Sequence, residues 1–260
     1  MLDISYWPVD ERRRVKGVFT DIDDTLTTNG VISEQALYAL HKLQQAGISV
    51  IAITGRPVGW SAPFASEWPV DAIVAENGAV ALVGEHKYYL QDAAARASNQ
   101  LKMSKVLATI LQTVPNARAS QDSSGRETDI AIDHSEYAFL DAQDIAKVVH
   151  IMRENWMTAT ISSIHINGWY GSHSKLEGAR WIVRKLFDRN LEEELNNWVY
   201  VGDSPNDQIM FAHFPNSIGV ANIKDFENQL QHFPQYITPS ERGQGFAELS
   251  KSLLVIHKNY

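Results

Sequence analysis

Residues 17–25 have the sequence GVFTDIDDT, in which a short apolar run leads into three carboxylates and a hydroxyl. The apolar run predicts a buried strand that ends at the first carboxylate. Because side chains alternate along an extended chain, Asp21 and Asp23 face one ligand while Ile22 returns to the core. Packing like charges there costs free energy unless a cation is present. We interpret the stretch as a Mg²⁺ site with one carboxylate free to attack phosphorus, and an acidic turn is the alternative.

Length, charge and cysteine content limit the classes of protein to consider. With 260 residues the chain can form one large domain or two small ones, and 44% apolar residues suffice for a substantial core. The net charge of -8 argues against nucleic acid or an anionic membrane as the main partner. The lack of cysteine excludes disulfides, thiolate chemistry and Cys-type zinc sites. We see no signal-peptide pattern and no stretch that approaches a membrane span, so we expect a cytoplasmic protein.

The first third of the chain alternates between strand and helix patterns. A helix with Ser33 as its N-cap precedes a second buried strand at residues 48–53, which ends in Thr54. A third short strand at residues 73–75 ends at a Glu-Asn-Gly turn, and two β-rich pieces follow. This order of elements is typical of a parallel sheet with right-handed crossovers.

The pattern then changes and later returns. Helix-like segments at residues 93–114 and 141–156 mix with strand-like segments at residues 128–133, 158–162 and 164–166. The mixture predicts a separate α+β module over residues 85–169. A helix that begins near Lys175 and a buried strand at residues 198–201 resume the first pattern. We therefore expect one domain, formed by residues 1–84 and 170–260, that the module interrupts.

Four separated pieces of the chain carry groups suited to one reaction, and each piece follows a strand or opens a helix. The groups are Asp21 with Asp23, Thr54, Lys175, and Asp203 with Asp207. Phosphoryl transfer needs a nucleophile, a metal, cationic cover for the phosphate and an acid or base. Each group also has an ordinary interpretation, as a turn hydroxyl, a solvated lysine or a turn aspartate. The ordinary interpretations do not explain why all four pieces fall at one edge of the expected sheet.

These four pieces resemble the motifs of the haloacid dehalogenase superfamily. Their sequences are DIDDT at 21–25, TGR at 54–56, Lys175, and GDSPND at 202–207. The module between the second and third motifs resembles the C2-type cap of the IIB group, which includes sucrose-phosphate, mannosyl-3-phosphoglycerate and trehalose-phosphate phosphatases. The resemblance implies an α/β fold, with a Rossmann-like core, a parallel sheet and an inserted α+β cap. It also implies a Mg²⁺-dependent phosphatase.

The resemblance assigns a role to each motif residue. Asp21 would be the nucleophile that forms an aspartyl-phosphate, and Asp23 would protonate the leaving oxygen and then deprotonate water. Thr54 and Lys175 would bind the phosphate, and Lys175 would also neutralise Asp21. Asp203 would ligate Mg²⁺ together with Asp21 and the backbone carbonyl of Asp23.

Three further motif positions carry looser implications. Asp207 would support the metal, and Asn206 would reach the phosphoryl group or Lys175. Asp24 is a departure, because many relatives carry glycine there. An extra carboxylate at this position is either a solvated turn residue or tunes the affinity for the metal.

Weaker candidates lie next to the motifs. The backbone N–H groups near Thr54, including that of Gly55, suit phosphate oxygens. Arg56 would touch the phosphate or pair with an acidic neighbour. Asn77 lies either in a loop near the substrate or in an ordinary turn.

The segment through which the chain re-enters the core suggests the substrate class. Residues 164–174 combine hydroxyl, imidazole, amide and aromatic groups. Strand alternation places His165 and Asn167 on one face, where they would bond to sugar hydroxyls; solvated edge residues are the alternative. Arg126 would bind a second anionic group or lie at the surface. Because a lid of this size blocks a folded protein or a duplex, we expect a small phosphorylated sugar or polyol.

Three other functions compete with a phosphatase. A phosphomutase would use the same aspartyl-phosphate, but the sequence around Arg126 does not match the cap motif of the phosphomannomutases. A phospho-acceptor signalling domain is about half as long or less, and needs neither Asp23 as an acid nor a cap. A non-catalytic binding protein is disfavoured because every catalytic residue type is present. Steady phosphate release over many turnovers would separate a phosphatase from the two non-enzymes.

Overall fold

The structure is a computed structural model that describes residues 1–257, and the side chains of residues 1–255. The strands are β1 (Leu2–Asp3), β2 (Gly17–Thr20), β3 (Thr27–Thr28), β4 (Val31–Ile32), β5 (Ser49–Ile53), β6 (Ala72–Ala75), β7 (Val80–Val83), β8 (His86–Tyr89), β9 (Arg118–Ala119), β10 (Asp129–Asp133), β11 (Thr158–Ile161), β12 (His165–Trp169), β13 (Trp198–Gly202), β14 (Ser217–Gly219) and β15 (Tyr236–Ile237). The helices are α1 (Val9–Arg14), α2 (Glu34–Gln45), α3 (Val58–Glu67), α4 (Ala93–Thr113), α5 (Ala142–Glu154), α6 (Lys175–Phe187), α7 (Gln208–His213) and α8 (Arg242–His257). Within this part of the chain, no helix has both the length and the apolar character that crossing a membrane requires.

Nine strands form one large sheet in the order β1-β15-β14-β13-β2-β5-β6-β7-β8. In this spatial order, every neighbouring pair from β1 at the edge to β6 is parallel, and the last two pairs, β6 with β7 and β7 with β8, are antiparallel. β2 lies between β13 and β5, with Val18 opposite Val199 and Val50. The predicted α/β class is confirmed, and the acidic stretch leaves the sheet near its centre.

Both faces of the large sheet are covered, which explains why its strands are continuous apolar runs. One face packs against α2, α3 and α8 around residues such as Leu40, and the other packs against α6 and α7 around Phe19. The Phe19 ring stacks on the Trp198 ring at a centroid distance of 4.6 Å. A Cβ atom at Gly17 would lie 2.2 Å from the same indole, so β2 begins with the one residue that leaves room for it.

A second sheet lies outside the first and has its own core. Its strand order is β11-β12-β10-β9, with every pair antiparallel. Helices α4 and α5 cover one face, where Ile110, Met152 and Ile166 are buried. The mixture of helices and strands predicted for this segment is confirmed.

The point where the chain leaves the large sheet differs from the expected one. The expected module begins at residue 85, but β8 pairs with β7 in the large sheet. We therefore propose that the core runs to Tyr89, that the cap spans residues 93–169, and that the core resumes after it. The strand pattern of residues 86–89 does not indicate which sheet they join, because such a strand would fit at the edge of either sheet.

Several local predictions can be compared with the structure. Ser33 is the N-cap of α2, as predicted, and its hydroxyl accepts the N–H of Ala36 at 3.1 Å. The strand predicted at residues 164–166 spans His165–Trp169. The prediction missed α1, because its run of arginines has no apolar periodicity.

Candidate active site

Three neighbouring parallel strands bring the predicted catalytic groups to one edge of the large sheet. β13, β2 and β5 lie side by side, and they end next to Asp203, Asp21 and Thr54. Lys175 is the first residue of α6, and its Nζ lies 2.8 Å from Asp21 Oδ1. The structure therefore brings the residues of all four sequence motifs into one crevice.

Lys175 is held by the cap of its own helix and by two carboxylates. The Ser174 hydroxyl accepts the N–H of Glu177 at 3.2 Å, which fixes the first turn of α6. Lys175 Nζ donates to Asp21 and, at 2.7 Å, to Asp207 Oδ1. Burial opposes the charged ammonium, but Asp207 and Asp21 outweigh burial and raise the pKa of Lys175 above its usual value. The lysine is therefore a permanent cation beside Asp21.

Asp207 uses both of its carboxylate oxygens to organise the loop after β13. Oδ1 accepts Lys175 and the hydroxyl of Tyr200, and Oδ2 accepts the N–H groups of Asp203 and Ser204 at 3.0 and 3.1 Å. A carboxylate has about four acceptor positions, and all four are used here. Asp207 therefore positions Lys175 and Asp203, and its support of a metal stays a prediction.

Three buried carboxylates face a single lysine in this crevice. Ligand oxygens of Asp21, Asp203 and Asp207 lie within 4.8 Å of one another. Burial raises the pKa of Asp21 to about 7, although Lys175 opposes the shift. Burial also raises the pKa of Asp203 well above its usual value, and the Asp21 charge adds to this. An excess of negative charge on hard oxygen donors is compatible with a divalent cation such as Mg²⁺.

Asp203 has additional polar neighbours that fix its orientation. The Thr25 hydroxyl donates to Oδ1 at 3.1 Å, and Asn222 Nδ2 donates to Oδ2 at 3.2 Å. Asn222 also donates to the backbone carbonyl of Asp24 at 3.1 Å. Asp24 is half-buried rather than solvated, and it pairs with Arg242 at 3.1 Å. The expectation of a solvated turn residue at Asp24 is therefore wrong.

Asp23 pairs with an arginine that also contacts the cap. Arg56 Nε lies 2.9 and 3.0 Å from the two Asp23 oxygens. The same guanidinium donates to Glu136 at 2.8 Å and to Asp122 at 3.3 Å. Burial opposes the charge of Arg56, but Asp23 and Glu136 outweigh it and raise the pKa of the guanidinium. Of the two roles expected for Arg56, the structure shows the ion pair with acidic neighbours.

The phosphate-binding loop expected after β5 is tightly held. The Thr54 hydroxyl accepts the N–H of Arg56 at 3.0 Å, and its carbonyl accepts the N–H of Asn77 at 2.9 Å. Asn77 has a left-handed backbone (φ 55°), and its Nδ2 is buried without a hydrogen-bond partner in the part of the chain whose side chains are described. Gly55 lies against the Asn77 amide, which would be within 3.4 Å of a Cβ atom at Gly55. Asn77 thus offers an unused donor beside the loop.

Asn206 lies at the edge of the crevice with one of its polar atoms engaged. Its Oδ1 accepts the hydroxyl of Ser204 at 2.9 Å. The side chain is buried, and it lies one residue before Asp207 in the short turn that opens α7. Contact with a phosphoryl group stays a prediction for this residue.

His165 and Asn167 are buried between the cap and the large-sheet core rather than exposed to solvent. Asn167 Nδ2 donates to Asp129 at 3.1 Å and to the Gly55 carbonyl at 3.4 Å, and His165 Nε2 lies 2.9 Å from Glu136. Both side chains are buried, so the alternative of solvated edge residues is wrong. Their expected contact with sugar hydroxyls stays a prediction.

Two buried charges between the core and the cap were not recognised as such in the sequence. Arg126, for which a surface position was one alternative, is buried and donates to Asp129 at 2.8 and 3.0 Å and to the Gly55 carbonyl at 3.0 Å. Glu76 is fully buried and accepts the N–H groups of Glu127 and Thr128, together with the Thr128 hydroxyl. The run SSGRETD at residues 123–129 carries no periodicity, so only tertiary contacts distinguish these residues from a polar loop.

The chain is similar to known hydrolases along most of its length. Residues 18–114 match the family of haloacid dehalogenase-like hydrolases. Phosphoglycolate phosphatase 1 of Saccharolobus solfataricus is 25% identical over 244 residues, which cover 92% of this chain and 96% of that protein.

Two solved structures share the fold over most of their length. Protein 0175 of Thermoplasma acidophilum has a TM-score of 0.71 and 15% identity, and the match covers 93% of this chain and 99% of that chain. The sucrose-phosphatase of Synechocystis sp. PCC6803, solved with sucrose and phosphate, has a TM-score of 0.67 and 15% identity, with coverage of 93% and 98%. At these identities the likeness establishes a common architecture.

Proposed function

We propose that this chain, of which residues 18–114 match the haloacid dehalogenase-like hydrolases, is a Mg²⁺-dependent phosphatase that hydrolyses a small sugar or polyol phosphate through an aspartyl-phosphate. The observation that carries the proposal is the cluster in which Lys175 Nζ lies 2.8 Å from Asp21 Oδ1, beside the buried carboxylate of Asp203. The cluster supplies a nucleophile, a cation and metal ligands in one crevice. Relatives named as phosphatases support the same reaction class.

The proposed reaction has two half-reactions at one phosphorus atom. Asp21 attacks phosphorus, the bond from phosphorus to the ester oxygen breaks, and Asp23 gives that oxygen a proton. Asp23 then removes a proton from water, whose oxygen attacks phosphorus and releases Asp21 and inorganic phosphate. Lys175 and the loop that begins at Thr54 hold the phosphoryl oxygens. A Mg²⁺ ion held by Asp21 and Asp203 would neutralise negative charge on the phosphoryl group.

Arg56 has a specific part in this scheme. Both oxygens of Asp23 accept the Nε–H of Arg56, so this contact fixes where the carboxylate lies. The same guanidinium donates to Glu136 and Asp122, so these two residues help to set how closely Arg56 holds Asp23. We therefore propose that Arg56 is a positioning residue for Asp23, not a ligand of the phosphate.

Measurement of phosphate release tests the proposed function. The purified chain would be assayed with phosphorylated sugars, polyols, nucleotides and a phosphopeptide, with Mg²⁺ or with excess chelator. We expect many turnovers on small sugar or polyol phosphates, loss of activity in chelator and recovery when Mg²⁺ is restored. Transfer of phosphate to a second sugar without release would show a mutase, and full activity in chelator would contradict the metal assignment.

A further inference from the structure

A pocket of about 340 Å³ lies between the core and the cap, directly beside Asp23. Its charged lining residues are Asp23, Asp24, Arg56, Glu136 and Arg242, and three hydroxyls come from Ser135, Tyr137 and Ser163. The volume is at the lower end for ligand pockets, which suits a substrate of only a few carbon atoms. The pocket is therefore the natural place for the part of the substrate that does not react.

Most charges in this pocket are already paired with one another. Arg56 contacts both oxygens of Asp23 and donates to Glu136, whose other oxygen lies 2.9 Å from His165. Asp24 forms an ion pair with Arg242. Each of these carboxylates already lies next to a cationic or imidazole partner, and Arg56 is shared among several carboxylates. We therefore expect neither the carboxylates nor Arg56 to bind a further ion strongly.

Arg242 differs from Arg56 in how much of its guanidinium is engaged. Its Nε atom lies 3.1 Å from Asp24 Oδ1, and this is its only ion pair in the part of the chain whose side chains are described. The Arg242 side chain is 37% exposed, against 5% for Arg56. The two terminal nitrogens of Arg242 are therefore the strongest donors that the pocket offers to a ligand.

The backbone of Arg242 is fixed relative to the proposed metal ligands. Its N–H donates to Asn222 Oδ1 at 3.0 Å, and the Asn222 amide donates in turn to Asp203 and to the carbonyl of Asp24. Arg242 has φ 53°, a left-handed conformation that costs about 1 kcal/mol or more for a long side chain. The backbone of Arg242 is therefore tied to Asp203 through one buried amide.

We propose that Arg242 binds a carboxylate of the substrate, which narrows the proposed sugar or polyol phosphate to one that carries a carboxylate, a small phosphorylated hydroxy acid; this assignment rests on the proposed function. A planar guanidinium binds a carboxylate through two parallel hydrogen bonds. A second phosphate would bring two negative charges close to Asp24 and Glu136, whereas a carboxylate brings one. A hydroxy acid also keeps the hydroxyls of a polyol, which match the hydroxyl groups of Ser135, Tyr137 and Ser163.

A matched pair of substrates tests this assignment. 3-Phosphoglycerate and glycerol 3-phosphate differ only in a carboxylate against a hydroxymethyl group. We expect kcat/KM of the wild type to be roughly 10- to 100-fold higher for 3-phosphoglycerate, as for a charged hydrogen-bond pair. Arg242→Gln should bring the ratio of the two values close to one, and Arg242→Lys should keep part of it. Arg153→Gln, at an exposed site on α5, is the control that should keep the full ratio.

Binding separates this assignment from the proposed function. Calorimetry on Asp21→Asn with Mg²⁺ should show tighter binding of 3-phosphoglycerate than of glycerol 3-phosphate, and the added Arg242→Gln change should abolish the difference. Equal binding of the two ligands, or a preference that survives Arg242→Gln, would overturn the carboxylate site even if the phosphatase activity is present. A preserved binding preference without turnover would instead overturn the phosphatase and support the site.

Discussion

Lys175 and Arg56 are both buried cations among carboxylates, but their partners come from different parts of the molecule. Lys175 bonds to Asp21 and Asp207, which both belong to the large-sheet core. Arg56 bonds to Asp23 in the core and to Asp122 and Glu136 in the cap. The Lys175 side of the crevice is thus complete within the core, whereas the Arg56 side is complete only while the cap is docked.

The two sides also differ in which contacts between the cap and the core must break for a substrate to enter. Asp207 is fixed by the hydroxyl of Tyr200 and by two backbone N–H groups, none of which involves the cap. One of the contacts between the cap and the core is a close backbone approach, in which a Cβ atom at Gly59 would lie 2.8 Å from the Gly125 Cα. We therefore expect cap opening to release Arg56 and to leave the Lys175 cluster unchanged.

The largest expected effect is on the core side, from Asp21→Asn. An amide is a poor nucleophile and a weak Mg²⁺ ligand, so kcat should fall on the order of 10⁴-fold or more, as for loss of a nucleophile in other enzymes. Phosphate release under saturating substrate is the measurement, with circular dichroism to check the fold. Substantial activity in this variant would mean that another group attacks phosphorus.

A smaller effect is expected on the cap side, from Glu136→Gln. Glu136 lies 2.8 Å from Arg56 and 2.9 Å from His165, so the change weakens the contact that draws Arg56 away from Asp23. We expect kcat to fall roughly 10- to 100-fold, a part of what general acid–base catalysis contributes.

Glu154→Gln is the matched control for this change, because Glu154 is an exposed cap residue that pairs only with His150 in the described side chains. It should leave kcat unchanged. If Glu136→Gln also left kcat unchanged, the cap would have no part in positioning Asp23, and the difference between the two sides would be structural only.

The same difference, between groups placed within the core and groups placed by core–cap contacts, explains which parts of the site can be predicted from the sequence. Asp21, Thr54 and Asp203 each follow an apolar run, so local pattern and strand order suffice to place them at one edge. Arg126 lies in a segment without periodicity, and Glu76, although it follows the strand at residues 73–75, is buried through a contact with Thr128, which lies 52 positions away. No local signal carries such a pairing, and for this reason the core site was predicted while the core–cap interface was not.

A third prediction addresses the strength of the core–cap interface. The buried Glu76 carboxylate accepts the Thr128 N–H at 2.6 Å and the Val58 N–H at 3.1 Å. Glu76→Gln replaces one acceptor oxygen with a donor that faces these N–H groups, which should cost about 1–3 kcal/mol of the free energy of unfolding. Urea unfolding measures the loss, with Glu67→Gln at the exposed end of α3 as the control. An unchanged midpoint would show that Glu76 does not hold the cap.

The smallest expected effect lies in the segment that returns from the cap to α6, which contains His173. The His173 ring stacks on Trp169 at 5.2 Å, and within the described part of the chain its two nitrogens are buried without partners. Burial alone lowers the pKa of His173 to about 4. This contact differs from the Arg56 network because it is maintained by a neutral ring.

The sign of the resulting pH dependence follows from the lowered pKa. The unfolded chain takes up a proton near pH 6.5, and the folded chain resists it until about pH 4, so stability is full above the unfolded value and falls as the pH drops. Between pH 8 and pH 6 the loss amounts to about 1 kcal/mol. His173→Phe keeps the stacking and cannot titrate, so the pH dependence of its unfolding free energy should be smaller than that of the wild type by this amount. Equal pH dependence in the two proteins would mean that the His173 ring is protonated as readily in the folded state, and that the returning segment opens to water as the Arg56 side does.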